Sequence, residues 1–323
     1  MNTTIPFISD QFINENCQFN GLIDALKRGF SNSDIEVPMR HHHDFSNPKE
    51  ANDSTLLLMP AFNPGKELGV KIVTVSPNNG KYNFPAIQGM YIFIDGHKGF
   101  IKAILEAKSL TAKRTAAASA LASSYLSKRN AASMLMIGTG ALSINLIKAH
   151  CSVRPIESVY VWGRDIGKAQ KICEALKNEQ FTCTAIKNIE YKISEVDIIS
   201  SATLAPTPLV LGKYLKKGQH VDLVGAYKKD TREADDEAIT KSSVYLDTYQ
   251  GGLKESGDIV IPLSKGILLK ETIKADLFEL CNNSKTGRTS DDEITVFKSV
   301  GHALEDLVAA SYIYNLFQNK VEI

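Results

Sequence analysis

The sequence predicts an α/β protein: a doubly wound, mostly parallel sheet in its second half, joined to a discontinuous α+β domain. Three observations carry this prediction. From about residue 130 onward, short apolar runs alternate with helical patterns, the signature of βαβ units. The first 128 residues instead mix short alternating segments with one long Ala-rich run. Between the two, Lys128-Arg129-Asn130 interrupts the pattern and marks a boundary. A chain of 323 residues has room for two domains at roughly 150 residues each.

In the first part, Ser54 to Met59, Gly69 to Val75 and Gly89 to Asp95 alternate apolar and polar residues as strands do, and Asn78-Asn79-Gly80 supplies a turn. The stretch Ile101 to Leu126 is expected to be helical, because Ala112, Ala116, Ala117, Ala118, Ala120 and Ala122 are strong helix formers that permit close packing. In the second part, Met134 to Ile137 is a buried strand and a helix begins at Ser143 to Ala149. Val159 to Trp162 is a second strand, followed by a helix over Ile166 to Leu176. Phe181 to Ile186, Val196 to Ser200, His220 to Val224 and Val244 to Asp247 give four more strands. The last segment, Ser299 to Phe317, is amphipathic, with Leu304, Val308, Ser311 and Tyr312 on one face. Such a helix commonly crosses back to the first domain. The expected division is therefore 1–129 with 299–323 as one domain and 130–298 as the other.

Composition narrows the function. With 37 basic and 36 acidic residues the net charge is +1, which leaves no electrostatic footprint for nucleic acid or an anionic membrane. The longest uncharged stretch, Asn130 to Ile147, carries too many small and polar residues for a lipid-facing helix, and MNTTIPFISDQF has no signal-peptide pattern. Five scattered cysteines without a CxxC fit reduced thiols in a cytoplasmic protein. His41-His42-His43 alternates between faces of an extended segment, so the three cannot ligate one ion, and no metal is expected.

The first chemical signal is Gly138-Thr139-Gly140-Ala141-Leu142-Ser143, which follows a buried strand and opens a helix. In the Rossmann fingerprint the first Gly makes the turn, the second admits the pyrophosphate, and the helix N-terminus supplies free N–H groups. Ser143 stands where the third Gly is expected, so the match is partial. The tip of the next strand selects the dinucleotide: an acidic residue binds the ribose of NAD, an Arg the 2′-phosphate of NADP. Here Arg164 is followed by Asp165, with Lys168 one turn on. That favours NADPH and leaves NADH open.

Several strings now come together: Val37-Pro38-Met39-Arg40, Leu58-Met59-Pro60-Ala61, Gly69-Val70-Lys71-Ile72-Val73 and Leu110-Thr111-Ala112-Lys113-Arg114-Thr115 in the first part. Thr203-Leu204-Ala205, Val224-Gly225-Ala226, Leu253 to Asp258 and Val296 to Gly301 follow in the second. The set resembles the ornithine cyclodeaminase/mu-crystallin family, in collinear order over nearly the whole chain. The resemblance implies a homodimer whose N-terminal domain binds substrate and dimerises beside a Rossmann domain, acting on imino or α-amino acids with a nicotinamide cofactor. By the same resemblance Arg40 and Arg114 grip the substrate carboxylate, and Lys71 is the catalytic lysine and a substrate contact. Cofactor contacts are implied at Thr115, Gly138, Thr139, Gly140, Ala141, Leu142, Arg164, Lys168, Thr203, Ala226 and Ser299. The chemistry suits these types, because a guanidinium fork matches a carboxylate and burial lowers a lysine pKa toward neutrality.

One departure bears on the activity. In cyclodeaminases an Asp follows the Gly-Gly or Gly-Ala pair, where it binds the substrate amine; here Gly225-Ala226 is followed by Tyr227, and the acids come later, at Asp230, Glu233 and Asp235. The expected reaction is therefore reduction of a preformed cyclic ketimine, Δ1-pyrroline-2-carboxylate or Δ1-piperideine-2-carboxylate, to L-proline or L-pipecolate. Ornithine cyclodeamination, an alanine or opine-type dehydrogenase, and a non-catalytic NADPH-dependent binder of mu-crystallin type stay open as alternatives.

Overall fold

A computed structural model describes residues 4–321. The chain divides into two compact units, one running to Arg114 and resuming at Ala303, the other spanning Thr115–His302. The first unit holds a six-stranded sheet: β1 (Phe7–Ile8), β2 (His41–Phe45), β3 (Ser54–Asn63), β4 (Glu67–Val75), β5 (Ile87–Asp95) and β6 (Ile101–Glu106), in the order β1-β6-β5-β4-β3-β2. Only the β1–β6 pairing is parallel. Helices α1 (Asp10–Asn16) and α2 (Phe19–Ser31) lie between β1 and β2 in the chain, and α3 (Ala107–Leu126) follows β6. The C-terminal helix, Ala303–Val321, packs on α2 and on one face of β3, β4 and β5. Burial alternates along β6 from Lys102 onward, with Ala103 and Leu105 inward.

The second unit is an eight-stranded, all-parallel sheet: β7 (Ser133–Ile137), β8 (Ser158–Trp162), β9 (Thr182–Ile186), β10 (Ile198–Ser201), β11 (His220–Leu223), β12 (Ser243–Leu246), β13 (Ala275–Asp276) and β14 (Thr295–Lys298). The order β13-β12-β14-β11-β10-β7-β8-β9 reverses direction at β7, so the switch point of the doubly wound sheet lies between β7 and β10. Helices α4 (Ser143–Val153) and α5 (Ile166–Ala175) link the first strands, and α6 (Ile189–Ile193) through α10 (Leu277–Cys281) the rest. Leu135, Ile137, Ile199, Val221, Leu223, Val244, Leu246 and Val296 form a continuous core, as expected of strands covered on both faces.

Four expectations need correction. Ile101 to Glu106 is a strand, not the start of a helix: Ile101, Ile104 and Leu105 satisfy the helical period, Ile101, Ala103 and Leu105 the strand period, and pairing with β5 decides between them. The C-terminal helix begins at Ala303 rather than Ser299, because Asp247 accepts hydrogen bonds from the backbone N–H groups of Val300 and Gly301 and holds that segment out of the helix. The domain boundaries fall at 114/115 and 302/303 instead of 129/130 and 298/299. The later half of α3 belongs with the second unit because Arg154 donates to the carbonyls of Ser123, Ser124 and Ser127, and Arg288 to that of Leu126. Finally, β1, β2, β13 and β14 are additional strands; β1 and β13 are too short to carry a period.

Candidate active site

Lys71 lies at the centre of β4 and points to the face covered by the C-terminal helix, while Val70 and Ile72 point to the other. It is 3% exposed, and its ammonium donates to Asp306 Oδ1 at 2.9 Å, with Oδ2 at 2.7 Å. Arg114, on α3, is also buried: its Nη1 donates to Glu305 Oε2 at 2.7 Å, and its Nε lies 3.0 Å from Asp306 Oδ1. Arg40, just before β2, is half-buried and close enough to act electrostatically on both Lys71 and Asp306. The three cations expected to handle substrate therefore converge within the first unit. Two buried carboxylates, Glu305 and Asp306, answer them.

Burial and the Arg114 guanidinium pull the Lys71 pKa down to about 8, against the opposing pull of Asp306. Burial alone would raise the carboxyl of Asp306, but Arg114 and Lys71 together hold it below the usual range. Glu305 and Asp306 were not singled out from the sequence. The signal was available: both sit beside Leu304 and Leu307 at the start of an apolar helix face, and a buried carboxylate demands a cationic partner.

In the second unit Gly138 has φ +120°, and a Cβ there would meet the Ala202 carbonyl oxygen at 2.6 Å, so only glycine fits this turn. The opposite holds at Gly140, where a Cβ would meet nothing within 4 Å and the backbone is open to a ligand. Leu142 occupies the N-cap of α4 without a capping side chain, which leaves the helix N–H groups available. Ser143, in place of the third glycine, is buried and donates to the Gly138 carbonyl at 3.0 Å, tying the turn to the helix. These residues fit the pyrophosphate of a dinucleotide. Arg164 and Lys168 are exposed at the end of β8 and on α5, and Asp165 is engaged as the N-cap of α5, accepting from the Gly167 N–H at 2.9 Å. Thr203, Ala226 and Ser299 follow the carboxyl ends of β10, β11 and β14, and Thr115 is a buried residue of α3.

His41, His42 and His43 are exposed on β2, and among the described residues no group of three or more His, Cys, Asp or Glu could hold a metal ion. Among the same residues no helix is long and apolar enough to cross a membrane.

The sequence model of the ornithine cyclodeaminase/mu-crystallin family matches residues 7–321. A Schizosaccharomyces pombe protein is 40% identical over 98% of both chains. The Delta(1)-pyrroline-2-carboxylate reductase of Paracoccus denitrificans is 35% identical over 90% of both. Among solved structures, the Thermococcus litoralis Delta(1)-pyrroline-2-carboxylate reductase in complex with NADH and L-proline superimposes with a TM-score of 0.90 at 30% identity, covering 98% of each chain. With a single family spanning its strands from β1 to the C-terminal helix, the chain belongs to the ornithine cyclodeaminase/mu-crystallin family.

Proposed function

We propose that the protein reduces a cyclic ketimine carboxylate, Δ1-pyrroline-2-carboxylate or Δ1-piperideine-2-carboxylate, to L-proline or L-pipecolate, with NADPH as the preferred dinucleotide and NADH as the runner-up. The observation that carries this reading is the gathering of three cations, Arg40, Lys71 and Arg114, around one buried pair of carboxylates, a set of donors that suits a substrate carboxylate. Arg40 and Arg114 hold that carboxylate and fix the ring. Lys71 faces the imine nitrogen, and with a pKa of about 8 it is still mostly protonated at neutral pH yet a stronger acid than an ordinary lysine, so it gives up a proton there. Asp306 steadies the ammonium before transfer. When bound, the reduced nicotinamide supplies the hydride for the imine carbon.

Engagement of Asp165 as a helix cap leaves Arg164 and Lys168 as the groups at the strand tip suited to a 2′-phosphate, which supports NADPH. Tyr227, 44% exposed where cyclodeaminases carry their Asp, argues against capture of an ornithine amine. The outer face of the first sheet presents Leu58, Ile72 and Met90 in register beside Pro60, Val70 and Ile92, an apolar surface suited to a homodimer. Five cysteines without a disulfide support a cytoplasmic setting.

The test is a panel of cyclic imines, 2-oxo acids with amines, and L-ornithine, followed by NADPH oxidation and ammonia release. Oxidation with the five- or six-membered ketimine is expected. Ammonia release from L-ornithine at a rival rate would refute the reading.

A further inference from the structure

Glu233 sits where two loops of the second unit meet. It is fully buried, and its two oxygens collect five donors from the ends of two neighbouring strands. Oε1 accepts from Ser201 Oγ at 2.6 Å, from the Thr203 N–H at 2.7 Å and from Thr203 Oγ1 at 3.1 Å. Oε2 accepts from the N–H groups of Gly225 at 2.5 Å and Ala226 at 3.3 Å. One side chain thus clamps the loop after β10 to the loop after β11, at the carboxyl ends of the sheet where doubly wound folds receive their ligands. The fit is tight: a Cβ at Gly225 would lie 2.2 Å from both the nitrogen and the oxygen of Thr203. The Thr203 methyl in turn lies 3.3 Å from where a Cβ of Gly138 would be, so the clamp extends to the glycine loop.

The clamp is itself anchored. Asp258, at the start of α9 (Gly257–Ser264), accepts from the backbone N–H groups of Glu233 and Ala234 at 2.7 and 3.0 Å, and Lys298 at the end of β14 lies 3.1 Å from the other Asp258 oxygen. All three ionisable groups are fully buried. Burial pushes the Glu233 carboxyl up to about 7; Lys298 opposes that shift and Asp258 adds to it. So costly a buried carboxylate is not needed to close two surface loops, which hydroxyls or water would satisfy.

We propose that Glu233 is a positioning residue for the coenzyme: its carboxylate fixes the Thr203 and Gly225-Ala226 loops in the one arrangement that receives the dinucleotide. This rests on the functional reading above. Replacing the acceptor oxygen with an amide turns a donor toward backbone N–H groups that cannot accept, so Glu233→Gln breaks the clamp while keeping its volume.

The experiment titrates NADPH into the whole protein, following ligand fluorescence, and measures amide exchange without coenzyme. For Glu233→Gln, the Kd for NADPH should rise about 10–100-fold, the worth of one charge-assisted contact. Exchange should accelerate at Thr203, Gly225 and Ala226 and stay slow within β10 and β11. The KM for ketimine at saturating NADPH should hold within about twofold. A Kd within about twofold of wild type, or unchanged exchange at those amides, would overturn the proposal. Should Glu233→Gln fail to fold, Glu233→Asp, one methylene too short to reach both loops, is read by the same two measures, with the same split expected and the same results overturning it. Failure of the wild-type protein to bind either NADPH or NADH would instead sink the functional reading, and this proposal with it.

Discussion

The two units each bury a cluster of ionisable side chains, and the clusters are built differently. In the first unit three cations, Arg40, Lys71 and Arg114, gather about the carboxylates of Glu305 and Asp306. In the second, two carboxyls, Glu233 and Asp258, gather about Lys298. Those carboxyls also take backbone N–H groups of Thr203, Gly225, Ala226 and Ala234. Their work is to hold loops. A site rich in cations suits an anionic ligand instead.

This contrast can be broken at its strongest point by removing Lys71. Lys71→Ala should lower kcat by about 10²–10⁴-fold, the usual worth of a positioned acid–base group, with NADPH binding unchanged. Near-normal kcat in steady-state assays would reduce Lys71 to a packing residue. A smaller effect is expected at the exposed end of the second unit. Arg164→Asp should raise the KM for NADPH by about 10–100-fold, from loss of one charge-assisted phosphate contact, and change that for NADH little. Equal effects on the two coenzymes would show that Arg164 does not select between them. The mildest change sharpens the assignment of the acid. Since Asp306 holds the Lys71 pKa up, Asp306→Asn should lower it further, and the wild-type fall in kcat as pH rises through about 8 should move to lower pH. A shift of about 1–3 units is the usual effect of one close opposite charge. A pH profile superimposable on wild type would detach the limb from Lys71.

Much of this was legible in the residues. The parallel sheet announces itself through uninterrupted apolar runs such as Met134 to Ile137, and the cations through their improbable places, Lys71 in an apolar strand and Arg114 in an Ala-rich helix. What stayed hidden depends on long-range pairing. Ile101 to Glu106 is compatible with helix or strand until β5 lies beside it. Glu305 and Asp306 are 191 and 235 positions from their partners Arg114 and Lys71, and no local pattern links them. Glu233 looks like one acid among several in a charged loop, and only the fold turns it inward past Asp230 to meet five donors.

The late position of Asp306 and Glu305 also orders the protein's assembly in time. Every residue of the second unit precedes Ala303, so that unit can close on the ribosome as soon as β14 emerges. The first unit cannot. Its sheet is finished by residue 106, yet Lys71 and Arg114 meet the carboxylates of Asp306 and Glu305 only when the C-terminal helix is made and docks. During that interval burying either cation would cost several kcal/mol. The sheet therefore waits, part-solvated, for nearly two hundred residues of synthesis, and the last helix arrives as the electrostatic key that lets it close.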